Sequence, residues 1–297
     1  MEIRVLRYFL AIAREGSITN ASNYLHVTQP TLSRQIKDLE DELGQKLFTR
    51  GSHNMTLTKE GFIFRKRAEE IIAMVDKTEE EFQAMETDIS GDIYIGGGET
   101  QAIRLLASVI KDLNNDYPDI RYHLYSGNFD DVTERLDRGL LDFGVIVQPA
   151  DLSKYDCLHL PSSDRWGVVM RKDSPLAKKK YIKKEDLLNL PLICSRQAIS
   201  NKKENNEYLA WFGDDFEKLN IVSTFNLVYN AALLVEAGVG YAVTIDEIAN
   251  ISEGSQLTFS PLKPALNSGL DVIWKKYQVF SQASELFLER MSQAFDE

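Results

Sequence analysis

The side chains from Thr28 to Lys37 are of the kinds that read duplex DNA. Gln29 can donate to and accept from the major-groove edge of adenine, and Arg34 can grip guanine or a phosphate. Pro30 and Thr31 can pack on a thymine methyl. Ser17, Ser33 and Lys37 suit phosphate contacts that set register without reading sequence. Chemistry of this kind needs a helix with a sealed back. From Leu32 the apolar residues recur at Ile36, Leu39 and Leu43, one helical face. Thr28 can cap that helix, Pro30 is tolerated in a first turn where N–H groups lack partners, and Gly44 ends it.

The elements around this helix are equally legible. Leu6, Phe9, Leu10 and Ala13 predict a first amphipathic helix, closed by Gly16. Ser17 can cap a second, whose Ile18, Ala21 and Leu25 face the same small core. After Gly44, Leu47 and Phe48 lead into a turn-like Arg-Gly-Ser-His-Asn, and then Met55 and Leu57 alternate with threonines. This is the pattern of a two-stranded wing, with Arg50 and His53 at its tip. Arg50 is expected at the DNA backbone or the minor groove.

Charge supports a division of labour. The chain has 297 residues and a net charge of −11. Residues 1–67 hold 11 Lys and Arg against 7 Asp and Glu, while the remainder holds 23 against 38. A basic head on an acidic body places phosphate contact in the head alone. The N-terminal stretch lacks a secretory pattern and no segment is long enough to span a bilayer, so a cytoplasmic protein without membrane contact is expected. Cys157 and Cys194 lack metal-ligand spacing and are expected as buried structural thiols rather than a redox pair. The histidines are scattered, so neither metal nor cofactor is expected.

From Thr58 to about Ile89 one long helix is predicted, with a near-heptad seam of Ala68, Ile71, Ile72, Val75, Thr78, Phe82 and Met85. Such a seam needs a partner helix, which points to a dimer. Beyond Ser90-Gly91, strands and helices alternate, predicting a mostly parallel sheet with helices on both faces. The chain crosses to a second unit near Pro161 to Asp164. Helices are expected over 185–190 and 204–218. Strands at 257–261 and 270–275 are expected to return to the first unit.

In such a two-lobed α/β domain, a ligand binds where strands end and helices begin. Gly98, Glu99, Thr100 and Gln101 follow the first strand. Ser126, Gly127 and Asn128 end the second, and Val147 and Gln148 end the third. Cys194, Ser195, Arg196 and Gln197 end a strand of the other lobe, and Asn226 and Thr244 end two more. Arg196 is the natural counter-ion for an anion. Glu99 would compete with an anion and could instead bind an amino or hydroxyl group.

The residues from Gly16-Ser-Ile-Thr-Asn-Ala through Leu25-His-Val-Thr-Gln-Pro-Thr-Leu-Ser-Arg-Gln-Ile-Lys-Asp-Leu-Glu, Glu42-Leu-Gly, Leu47-Phe-Thr-Arg and Leu57-Thr-Lys-Glu-Gly strongly resemble the LysR-type transcriptional regulators. The likeness is dense over 1–65 and weakens to a fold-level pattern over 91–297. There it rests on Arg171-Lys-Asp-Ser-Pro-Leu-Ala, Leu187-Leu-Asn-Leu-Pro-Leu-Ile and Val235-Glu-Ala-Gly-Val-Gly-Tyr-Ala-Val.

The resemblance implies an α/β chain with an all-α-type winged helix-turn-helix head (1–60), a linker and dimerisation helix (61–90), and an effector domain (91–297). That domain would be two-lobed and similar to type 2 periplasmic binding proteins, with lobe I at 91–162 and 266–297 and lobe II at 163–265. Its implied partners are double-stranded promoter DNA, a small-molecule effector that shifts DNA bending, and itself, as homodimer and homotetramer. His53 departs from the usual wing arginine, so a permanent charge is missing there. Asn20, Ser22 and Asn23 stand where Ala and Arg are commoner.

Other classes fit less well. An enzyme would need a nucleophile elbow, a phosphate loop or a His–carboxylate constellation, and none is recognisable. A transport solute-binding protein would carry an export signal rather than a basic head. A chromosome-organising protein would need no effector site.

Overall fold

The structure is a computed structural model that describes residues 1–50, 54–84, 89–148, 150–200 and 206–295, with only the backbone of residues 50, 80–84 and 200. These residues form two compact units, Met1–Gln83 and Ala84–Glu297.

The first unit opens with α1 (Ile3–Glu15), α2 (Ile18–Tyr24) and α3 (Gln29–Leu43). Gly16 and Gly44 close α1 and α3 in the left-handed conformation that glycine adopts without steric cost. Ser17 caps α2 by accepting from the Asn20 N–H, and Thr28 caps α3 by accepting from Thr31. Leu6, Phe9, Ile12, Ala21, Leu32, Ile36 and Leu39 make the shared core. Each large apolar side chain buried there contributes about 1.5–3 kcal/mol. Leu43, expected on the same stripe, is 39% exposed instead. It ends the helix, where the chain turns away from the core.

The wing pairs β1 (Phe48–Arg50) antiparallel with β2 (Met55–Leu57), in the register Phe48 to Leu57 and Arg50 to Met55. A single residue, Thr58, separates β2 from α4 (Lys59–Ala84). Its hydroxyl accepts from the Gly61 N–H at 2.9 Å and donates to the Lys46 carbonyl at 2.7 Å. On α4, Ala68 is sealed and Ile71 and Ile72 pack on the same core. The expected seam is therefore partly spent on its own unit. Phe62 and Ile63, by contrast, are exposed. The side chain of Phe82 and the whole of Met85 lie outside the described residues.

The second unit holds β3 (Gly91–Gly97), α5 (Ile103–Asp116), β4 (Ile120–Ser126), α6 (Phe129–Asp137) and β5 (Phe143–Val147) in its first lobe. A long strand, β6 (Tyr155–Arg171), then enters the second lobe. That lobe carries β7 (Pro191–Ser195), α7 (Arg196–Ser200), α8 (Glu207–Phe212), β8 (Asn220–Phe225), α9 (Val228–Glu236), β9 (Tyr241–Ile245) and β10 (Leu257–Pro261). The chain returns through β11 (Asn267–Lys275) and ends in α10 (Gln282–Phe295).

The strand order is β4-β3-β5-β11-β6-β9-β7-β8, with β10 also paired to β6. The expected mostly parallel sheet is mixed. β3 runs parallel to β4 and β5, and β7 parallel to β8 and β9. The pairings of β6 and β11 are antiparallel, because these strands carry the chain between lobes in opposite directions. β6 starts well before the expected strand at Trp166. Its alternating half, from Tyr155 to Arg165, pairs with β11 in lobe I, and its apolar half pairs with β9 and β10 in lobe II. β10 thus stays in lobe II, and only β11 returns. The helix expected over 204–218 is α8 followed by a 3-10 segment at Gly213–Lys218, and the one at 185–190 shrinks to a 3-10 turn at Lys184–Asp186.

Both lobes bury their strands on two faces, as crossover helices require. In lobe I, Phe143 and Val145 face α5 and α10, while Ile146 and Ile273 face α6. In lobe II, Val168, Leu192 and Val243 pack under α8, and Val169, Ile193 and Ala242 under α9.

Candidate nucleic-acid interface and ligand cleft

On α3, Gln29, Pro30, Thr31, Arg34 and Lys37 are exposed and Ser33 is half-buried. The Arg34 guanidinium is 83% exposed and, among the described residues, reaches only Asp38, at 3.8 Å. An exposed pair at that distance adds little stability, so the cation remains available to a ligand. The hydroxyls of Thr28 and Thr31 share a 2.8 Å hydrogen bond. Together these side chains form one polar face above the sealed Leu32, Ile36 and Leu39. A helix so anchored presents its first turns as a rigid edge to a groove.

A residue missed from sequence sets the wing beside that edge. Glu40 lies on α3 and is 4% exposed. Its carboxylate accepts from the backbone N–H groups of Leu47 and Phe48 at 2.9 and 3.2 Å and from Lys46 Nζ at 2.9 Å. Burial works to raise its pKa, but the bonds from Lys46, Leu47 and Phe48 outweigh it and hold the carboxyl below its usual range. Across the wing, the Met55 N–H donates to the Gly16 carbonyl at 2.8 Å. The spacing between Glu40 and Leu47 is the available clue: an acid on an apolar face just before a short strand. Arg50 lies at the end of β1, and His53 falls outside the described residues.

Between the lobes of the second unit lies a cleft lined by residues of both lobes. Of the expected ligand residues, Gly98, Glu99, Asn128, Val147, Gln148, Ser195, Gln197, Asn226 and Thr244 line it. Sequence reasoning did not anticipate its apolar wall of Trp166, Tyr208 and Phe225, or Asn206 and Ser268. These sit on the crossing strands, on α8 and at the end of β8. Their placement depends on β6 and β11 spanning both lobes, which local pattern does not reveal.

The other expected residues go elsewhere. Thr100 is buried and donates to Asp164 at 2.6 Å. Gln101 donates from its amide to the Glu247 carbonyl at 2.5 Å. Both, with Ser126, border a second groove beyond the β3–α5 turn. Gly127 is buried, with its N–H on the Gly97 carbonyl, and lines neither hollow. Arg196 corrects the expectation most sharply. It is exposed at the start of α7 and does not line the cleft, because its neighbour Gln197 turns inward instead.

Several side chains tie lobe to lobe. The Glu99 carboxylate accepts from the Val228 N–H at the first turn of α9. Gln197 accepts from the Phe129 N–H at the start of α6 at 3.2 Å. Asp164, at the crossing, is 5% exposed, and burial raises its pKa against the opposing bond from Thr100. Both cysteines have raised pKa values, chiefly from burial, and Cys194 is pushed to about 11. Cys194 is buried as expected, whereas Cys157 is exposed.

Geometry of this kind, a winged helix-turn-helix followed by a two-lobed α/β unit with a lined cleft, is that of a ligand-responsive DNA-binding regulator. A family profile described as "Bacterial regulatory helix-turn-helix protein, lysR family" matches residues 3–62, and one described as "LysR substrate binding domain" matches residues 86–296. The chain belongs to the LysR family: it is a transcriptional regulator with a DNA-binding helix-turn-helix and an effector-binding domain, and not an enzyme. It is 33% identical over 224 residues to the HTH-type transcriptional regulator BsdA of Bacillus subtilis, covering 74% of each chain. The HTH-type transcriptional regulator YtlI, from the same organism, is 27% identical over 230 residues, covering 77% of this chain and 74% of the relative. The crystal structure of CbnR, a LysR family transcriptional regulator, shares the fold with a TM-score of 0.76 at 20% identity, covering both chains completely. No helix among the described residues is long and apolar enough to cross a membrane.

Proposed function

We propose that α3 enters the major groove of a promoter through Gln29, Pro30, Thr31 and Arg34. Ser17, Thr28, Ser33 and Lys37 hold the backbone, and the wing follows it with Arg50 and His53. The observation that carries this reading is the exposed polar face of α3 backed by the sealed Leu32, Ile36 and Leu39. A small molecule held between the lobes by Glu99, Asn128, Ser195, Asn226 and Thr244 biases their closure and thereby the affinity for DNA. The exposed Phe62 and Ile63 on α4 favour self-association, as a homodimer and, through a second contact, a homotetramer. The regulator works in the cytoplasm, where promoter DNA is.

Footprinting of the intact chain on DNA upstream of its own gene tests the first part. Protection of one site over random duplex, with half-sites about a helical turn apart, supports it. Equal protection of all DNA at fixed salt refutes it. The second part holds if a metabolite that raises thermal stability also changes operator affinity.

A further inference from the structure

The cleft between the lobes is electrostatically one-sided. Among the described residues its lining includes one charged side chain, the carboxylate of Glu99. Arg196 points away. The helix that opens onto the cleft, α9, has no side-chain cap of its own: its N-cap residue is Leu227. The first N–H of that helix, on Val228, is taken by Glu99 from the opposite lobe. A helix N-terminus is a ready seat for an anion. Here the protein's own carboxylate fills that seat.

Glu99 uses one carboxylate oxygen, Oε2, for this bond. The structure gives it no cationic partner among the described residues. The same lining holds Trp166, Tyr208 and Phe225, with Trp166 and Tyr208 rings 4.9 Å apart. The hydroxyl of Ser268 is engaged by Trp166 Nε1 at 2.9 Å. An acid with a second oxygen, in a cleft that also holds three aromatic side chains, suits a cation with an apolar body, through a charge-assisted hydrogen bond at one end and ring contacts at the other. A carboxylate ligand would instead meet a like charge, with no counter-ion in the wall among the described residues.

We propose that the effector of this regulator is an organic amine, with its ammonium on Glu99 and its apolar body against Trp166, Tyr208 and Phe225. This rests on the reading that the cleft is the effector site. It predicts that an amino acid binds less well than the amine left when its carboxylate is removed.

The test uses the full chain and three probes of common body: 2-phenylethylamine, 2-phenylethanol and 3-phenylpropionate. Binding is measured by calorimetry in the native chain, in Glu99→Gln and in Ala198→Trp, which fills the cleft. Glutamine keeps an oxygen for the Val228 N–H, so the lobe contact survives. The expected result is a preference for the amine that falls about tenfold or more in Glu99→Gln, as loss of a charge-assisted bond requires. Ala198→Trp should abolish binding of all three probes. Preference for the carboxylate, or an amine affinity indifferent to Glu99→Gln, overturns the amine assignment while leaving the cleft as the site. Binding unaffected by Ala198→Trp, or no binding of any probe to any variant, overturns both the assignment and the cleft reading.

Discussion

Glu40 of α3 accepts hydrogen bonds from the backbone N–H of Leu47 at 2.9 Å and of Phe48 at 3.2 Å, and thereby fastens the wing to the recognition helix. Both N–H groups belong to buried residues. Glu40→Ala leaves them without an acceptor, at a cost of about 2–4 kcal/mol. Chemical denaturation of the full chain should show that loss. Glu40→Gln, which can still accept, should lose less.

The same carboxyl gives a pH signature. Its folded pKa lies below its usual value. Its contribution is therefore present above the ordinary glutamate range and is lost as pH falls through the lowered folded value. Asp164 has the opposite sign, since burial raises its pKa. Ionising it costs stability, so its penalty is absent below the ordinary aspartate range and sets in as pH rises through the raised value. Asp164→Asn should thus raise the melting temperature at neutral pH, with a gain that shrinks toward acid. A gain independent of pH would show that the charge is not the cause.

Arg34→Ala should weaken binding to the protected site by about 1–3 kcal/mol and relax preference at one base position. Lys37→Ala should weaken all duplexes alike and lower the salt slope by about one. Quantitative footprinting across a salt series separates the two. Identical behaviour would mean that Arg34 holds a phosphate too.

Gln197→Ala removes the acceptor for the Phe129 N–H between the lobes. Amide exchange at Phe129 should accelerate about threefold to tenfold, the effect of one ordinary hydrogen bond. The Val228 N–H, held by Glu99, should accelerate with it if the lobes open as a pair of rigid bodies. Independent rates would mean that the ties act separately.

Neither thiol is poised as a thiolate, since burial raises both pKa values. The reactive species at neutral pH is scarce. Mild peroxide should leave both thiols free in a thiol count. Alkylation should reach the exposed Cys157 first and Cys194 only on unfolding.

The head was legible in sequence almost residue by residue. Its caps at Ser17 and Thr28, its glycine stops and its apolar stripe are local features, and each governs the few residues around it. Leu43 escaped because the periodic pattern continues to the helix end while the core does not. In the second unit, elements were legible and partners were not. The 155–165 half of β6 alternates polar and apolar, whereas the sequence places only a crossing near Pro161 to Asp164, and the pairing of β10 with β6 is set by contacts distant in sequence. Arg196 and Gln197 are adjacent on one helix start, and which of them turns inward is decided by α6 across the cleft. Proximity to a strand end predicts that a residue is near the ligand; it does not say which way its side chain points.

Gly61, in the first turn of α4, presses its backbone against the Leu47 carbonyl so closely that even a methyl group would collide with it. Thr58 clasps Lys46 on the other side of the joint. With no slack at that joint, the first turn of α4 cannot shift against β1 without displacing Leu47, so the start of the long helix and the strand beside the recognition helix move as one piece.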